Sequence, residues 1–421
     1  MLHCTVYYAS NAGTGVMLGN GSNAGDSSTA KEIFISDSLF NAAGGPGGVT
    51  TAIHILGSEH VRLDNCHIDT FLYGILIAPG PYGSNALRHT FTAVTIYGCT
   101  SAFPSGGYMG AAVLIQPQAS ETQQLDVGQI EFTSCLFEPG KSFAPTEAGP
   151  IPAGVVIDAT NGTIDTVRLI SCYSARWAGP GLYVIGAGGG PGPYANNIEI
   201  LGGMYAGNNY TVEGGYSASQ PYGIYVGNGA QYIRIVGTSC IGEYRYITIG
   251  KETESPHQGV GVYVDGGASN VILGDCDVTE NATNGITVNG STKAVANVFI
   301  RDCNASGAWA YNTAINVSGA ASNLSNIEVT DCAGYNDLNV ELSTTGPGNN
   351  HNFNGVTYGY YGPVVFYTNS GGGFTISAIQ IQGYGTHLTS GAFTLPPGST
   401  PYATITYSGA GLALPFLMIG Q

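Results

Sequence analysis

The chain has 421 residues, including 65 Gly and 27 Tyr, and only 9% of its residues are charged. Its 11 basic residues stand against 27 acidic ones, a formal charge of −16 that leaves no basic footprint for nucleic acid or an anionic membrane surface. The same surplus weakly disfavours a strongly anionic polysaccharide, which such a surface repels. Hydrophobic residues make up 43% and recur regularly, which excludes disorder. Abundant Gly and Asn indicate many tight turns between short strands rather than helices. No apolar run reaches the ~18–20 residues of a membrane span, so no membrane insertion is expected.

Met1-Leu2-His3-Cys4 opens the chain without a basic region followed by an apolar one, so no secretory signal peptide is expected. A partial repeat is visible at Thr5 to Ala9 and at Gly15-Val16-Met17-Leu18. An open strand edge there is a template for pairing. An upstream domain or another chain is therefore expected to cover it.

From there a block recurs: apolar, any, apolar, two residues, then Cys or a small residue. Val61-Arg62-Leu63 leads to Cys66, Val94-Thr95-Ile96 to Cys99, Ile130-Glu131-Phe132 to Cys135, and Val167-Arg168-Leu169 to Cys172. Later copies run from Val271 to Cys276, Val298 to Cys303 and Ile327 to Cys332, and degenerate copies put Ser38, Gly203 and Thr238 in the Cys slot. A second block, Gly or Ala then apolar-any-apolar, follows each first one. Gly74-Ile75-Leu76-Ile77, Gly154-Val155-Val156-Ile157, Gly223-Ile224-Tyr225-Val226 and Gly261-Val262-Tyr263-Val264 are examples.

Both blocks alternate with period two, so each is a strand with one side inward. No such unit can bury its apolar side alone, and a long array of them stacks into a solenoid. The fold expected is all-β: a right-handed parallel β-helix of about ten to eleven rungs over residues 1–345. The repeat fades after Leu338. Residues 346–421, with Gly371-Gly372-Gly373 and Pro396-Pro397-Gly398 as turn signals, read as a small β-sandwich-like module for capping or trimerisation.

Nine cysteines is an odd number, and free Cys is an ordinary small buried hydrophobe. A reduced core ladder is expected. With no CxxC or HxxH spacing, no metal site and no cofactor are expected. Asp37, Asp275, Asp302 and Asp331 each precede a ladder position, which points to a shared turn role.

The rung pattern, a strand, a Cys-containing turn and a Gly-Ile-x-Ile strand, resembles the pectate-lyase-like β-helix superfamily, and within it bacteriophage tailspikes and polysaccharide depolymerases. The resemblance covers residues 5 to 345. The stretch Leu388-Thr389-Ser390-Gly391-Ala392-Phe393-Thr394-Leu395 is similar to small modules that end some phage tail proteins. The resemblance implies a homotrimer in a virion tail or outside the cell, binding a bacterial surface polysaccharide. It carries over no catalytic motif, because this fold serves lyases, hydrolases, epimerases and pure adhesins.

Long corner insertions at 135–154, 203–223 and 238–261 are the places where function is expected. Aligned on the Cys slot, successive rungs supply Glu138, Arg176, Asn208, Glu243 and Glu280. Glu243 and Glu280 fall on adjacent rungs, and Asp277 is a third carboxylate nearby. Two carboxylates roughly 5–5.5 Å apart suit retaining glycoside hydrolysis, and roughly 6.5–9.5 Å inverting hydrolysis. Close approach also raises one pKa, as a general acid requires. Arg176, Glu138, Tyr244, Arg245, Trp177 and Trp309 are the candidate substrate contacts, the aromatic rings offering flat faces to sugars. A lyase is less favoured, since it needs basic residues to neutralise a uronate. A non-catalytic receptor-binding or structural fibre protein, or a secreted hydrolase of the same fold, are the alternatives.

Overall fold

The computed structural model describes residues 5–8, 13–19, 30–42, 49–69, 71–79, 85–99, 110–118, 127–139, 153–177, 179–188, 192–208, 222–242, 258–307, 315–319, 323–334, 338–342, 351–354, 357–358, 365–368, 374–377, 380–383, 386–389 and 393–394; beyond Cys332 the backbone alone is described. Two compact units divide the chain, Met1–Gln231 and Tyr232–Gln421. Each is built of right-handed parallel β-helix coils, all strand and no helix among the described residues.

One coil of the first unit shows the plan. Ile164–Ile170 forms a long strand, the chain turns at Ser171-Cys172, Tyr173–Ala175 forms a short strand, and Leu182–Gly186 a third. The next coil repeats this with Ala195–Leu201, Met204–Ala206 and Tyr222–Gly227, each strand parallel to its predecessor. Three faces result: a long-strand face, a short-strand face and a third face. Register is in step across them. Val167 pairs with Ile198 and Leu169 with Ile200, so inward columns match over successive coils. Val61, Leu63, Phe91, Ile130, Phe132, Val167 and Leu169 are all buried. Each such apolar side chain contributes about 1.5–3 kcal/mol. Phe91 and Phe132 stack at 4.6 Å within this column.

The second unit repeats the plan with long strands at Ser269–Gly274, Val295–Arg301 and Leu324–Thr330. Parallel pairing runs past residue 345. Leu338–Leu342 pairs with Val365–Thr368, and His351–Asn354 with Phe374–Ser377. Two antiparallel pairings come last, joining Phe374–Ser377 to Phe393–Thr394 and Gln380–Gly383 to Thr386–Thr389. The rest of the terminal module expected over 346–421, from residue 395 on, lies outside the described residues.

The turn between the long and short strands explains the Asp series. Asp37, Asn65, Ser134, Ser171, Asp275, Asp302 and Asp331 all hold φ between 47° and 53°. Short polar side chains tolerate this left-handed conformation best. Behind it, Cys66, Cys135, Cys172, Cys276, Cys303 and Cys332 are free and buried, as are Cys99 and Cys240. The Sγ of Cys135 lies 3.3 Å from the Phe91 carbonyl oxygen, and that of Cys172 3.4 Å from the Phe132 oxygen. Burial is the largest cause raising the thiol pKa values of Cys66, Cys99 and Cys240. A thiol reagent at pH 8 is therefore expected to leave these cysteines unmodified in native protein and to label them on unfolding. Rapid labelling of several in the native state would contradict the buried ladder.

One repeat copy is corrected. Thr92 pairs with Thr133 and with Asp64, which puts Val94, not Cys99, in the Cys slot of that coil. The long strand of the coil is Ala86–Thr92, whose inward residues are His89 and Phe91. A histidine among aliphatic residues disguised it. The glycine of the second block has a steric cause: a Cβ on Gly154 would collide with Ser174 Oγ and the Gly181 carbonyl oxygen.

Candidate functional site

The long strands do not alternate simply. In Ala86–Thr92, Ala86 is buried, Leu87 and Arg88 both face out, and His89 is buried again. Arg88 takes φ 63°, and Glu32, His60, Gln129 and Thr166 hold the same place in their coils at 57°, 57°, 55° and 58°. A left-handed residue inside each strand bends it, as a bulge does. The bends stack, and in the first unit the long-strand face carries a groove of about 540 Å³ along the coils.

Two outward columns line the groove. Glu32, His60, Arg88, Gln129 and Thr166 form one, and Phe34, Arg62, Thr90, Glu131 and Arg168 the other, with Ile33 and Ile130 between them. Phe34 is 57% exposed, and the Arg62 guanidinium sits 5.4 Å from its ring centre. Arg62 Nη2 lies 3.5 Å from Asp64 Oδ2, and Arg168 Nε donates to Glu199 Oε2 at 2.8 Å. Arg88 differs. Its Nε donates to Gln129 Oε1 at 3.2 Å and its Nη1 lies 3.3 Å from His60 Nε2, so no carboxylate among the described residues pairs with it. Beneath it, His89 is buried, its Nδ1 accepting from the Val61 amide at 3.2 Å. Burial, and secondarily His60, lower its pKa to about 4.

Those of the residues expected from sequence that are described do not line the groove. Glu243, Tyr244, Arg245 and Trp309 fall outside the described residues, as do 209–221 and 243–257 of the two long loops. In the second unit, Asp277 and Glu280 share the short strand Asp277–Asn281 and both are exposed. Glu280 sits at φ 60° within a register shift, and Asp277 Oδ1 lies 3.4 Å from Asn304 Nδ2. In the first unit Glu138 is half-buried at the end of Leu136–Glu138. The Arg176 amide donates to the Ala206 carbonyl.

Trp177 is corrected. It is 0% exposed, its indole Nε1 donates to the Phe137 carbonyl at 3.2 Å, and its amide lies 3.3 Å from Asn208 Oδ1. A ring enclosed on all sides has no face to offer a sugar, so Trp177 is a core residue. Sequence reasoning missed the groove because it began each repeat at the first apolar residue. The signal lay one residue earlier, where Asn197, Asn270, Asn297 and Asn326 are asparagine and the groove positions are not.

No protein-family model matches the chain, and no curated protein does. Among solved structures it is similar to the A-module of an Azotobacter vinelandii mannuronan C-5 epimerase, AlgE6, with 14% identity, a TM-score of 0.40, and coverage of 84% of this chain and 91% of that one. The AlgE4 A-module from the same organism gives 14% identity, a TM-score of 0.31, and coverage of 81% and 91%. ORF18 of Geobacillus virus E2 gives 13% identity and a TM-score of 0.37, with 86% of this chain matched to 58% of that one.

Proposed function

We propose that the protein is a tailspike-like, homotrimeric, polysaccharide-binding protein of a virion tail or extracellular space, and that the groove of its first unit holds the glycan. The observation that carries this is the groove itself: a long concavity with an apolar floor, an exposed aromatic ring and guanidinium groups, the lining that orients a flat, hydroxyl-rich chain. Guanidinium groups suit it because their planar fork donates to paired oxygens.

The two glutamates of the groove do not form a hydrolytic pair. Glu32 and Glu131 stand on coils three strand steps apart. At ~4.8 Å per step that is about 14 Å, beyond both windows for a hydrolytic pair. Hydrolysis is assigned, as a second part of the proposal, to a site of its own in the second unit, with Glu280 and Asp277 as its carboxylates and Glu243 as the third candidate.

Binding and reducing-end release are to be measured across purified bacterial capsules, lipopolysaccharides and neutral plant glycans. One bacterial glycan is expected to bind, with Phe34→Ala and Arg62→Ala weakening it roughly tenfold each. Reducing ends are expected from that glycan and are expected to vanish in Glu280→Gln. Tight binding without release would leave a pure receptor-binding protein, and absence of binding to the whole panel would remove the proposal.

A further inference from the structure

We infer that the groove is specific for an acidic glycan, and that Arg88 receives its carboxylate; this deepens, and rests on, the polysaccharide reading above. Two independent observations carry it.

The first is backbone strain placed where the groove is. The left-handed position of the long strand recurs coil after coil, and after glycine asparagine is the residue that fits it at least cost. In four coils outside the groove, at Asn197, Asn270, Asn297 and Asn326, asparagine is there. Asn197 Nδ2 donates to Thr166 Oγ1 at 2.9 Å, Asn297 to Asn270 Oδ1 at 2.9 Å and Asn326 to Asn297 Oδ1 at 3.0 Å, a ladder that holds itself. Over the groove the ladder is replaced by Glu32, His60, Arg88, Gln129 and Thr166, all at φ 55–63°. Apart from His60, none of these prefers that conformation, and a β-branched threonine resists it most. Tyr232 holds the same position outside the groove at φ 53°, but only along the groove do five consecutive coils all depart from asparagine, which points to use of those side chains.

The second is the way Arg88 is held. The chain carries 11 basic residues against a net charge of −16, yet three arginines face this one groove, opposed by two glutamates in its lining. Arg62 and Arg168 are paired with carboxylates, but Arg88 is held in position by the His60 ring and the Gln129 amide. Among the described residues its Nη2 has no partner. A guanidinium oriented by neighbours other than carboxylates, with donors left over, is preorganised for a planar anion. The overall negative charge opposes this at long range. A carboxylate in direct contact wins because charges beyond about 8 Å are screened at physiological salt, whereas the charge-assisted contact survives.

The test uses the full chain and four probes: oligomers of polygalacturonate, polymannuronate, hyaluronan and polysialic acid. Each is titrated beside its carboxyl-reduced, neutral form. At least one acidic oligomer is expected to bind, with the reduced form weaker by roughly tenfold or more. Arg88→Asn is expected to lose a similar factor for that ligand while its melting temperature stays level or rises, because asparagine relieves the strained position. That combination separates a binding role from a structural one. Equal binding of the acidic and reduced forms would overturn the inference, as would unchanged binding by Arg88→Asn. A fall in melting temperature of that variant would overturn the strain reasoning. Binding of neutral glycans alone would overturn it while leaving the polysaccharide reading intact, whereas no glycan binding at all would remove both.

Discussion

Trp177→Ala is expected to lower the stability of the first unit by about 3–5 kcal/mol, the usual cost of deleting a large buried aromatic side chain. The indole is fully enclosed, and its removal leaves a cavity in a column that cannot collapse without breaking register. It also orphans the Phe137 carbonyl oxygen, which accepts the indole N–H, and a lost buried partner adds to the cost. Urea unfolding followed by circular dichroism measures the loss. The same variant, assayed where it remains folded, is expected to bind the groove ligand as the native protein does. Undiminished stability with lost glycan binding would return Trp177 to the role of a sugar contact.

Acid is expected to weaken the first unit through His89. Burial depresses its folded pKa to about 4 from an ordinary 6.5. Above pH 6.5 the imidazole is neutral in both states and its full contribution is present. Between pH 6.5 and 4 the unfolded chain takes up a proton that the folded one refuses, so stability falls, and below pH 4 the loss levels off. At 1.36 kcal/mol per unit the total is about 3 kcal/mol. His54, also lowered by burial, acts in the same direction. Thermal melts from pH 7.5 to 4 are expected to fall along this window. His89→Gln, which keeps an acceptor for the Val61 amide but does not titrate, should flatten the curve. An unchanged pH profile in that variant would show that the acid sensitivity lies elsewhere.

The repeat was legible because stacking imposes it: a coil whose inward column is not apolar has nothing to stack on. Where the column departs from that rule, reading slipped. His89 in place of an aliphatic residue shifted one copy by a whole block, and with it hid Arg88, the cation at the centre of the groove. The left-handed residue within each long strand was hidden for a different reason. Period-two alternation has no place for two successive outward residues, and only Asn197, Asn270, Asn297 and Asn326 hint at it from composition.

Trp177 shows the limit on the other side. Tryptophan beside an arginine in a loop corner reads equally as a sugar platform or as core, and the deciding fact is which neighbours close over the ring. Those neighbours, Phe137 from the preceding coil and Asn208 from the following one, are 40 and 31 residues away in sequence. What the sequence by itself determined was the coil, its inward columns, its reduced cysteines and its Asp-containing turns, because each repeats at a spacing set by local backbone geometry. What only the tertiary structure decided was where the coils are bent into a groove and which side chains meet across it. Contacts between coils join residues about 30 to 40 positions apart, and a strand carries no record of what its neighbour places beside it.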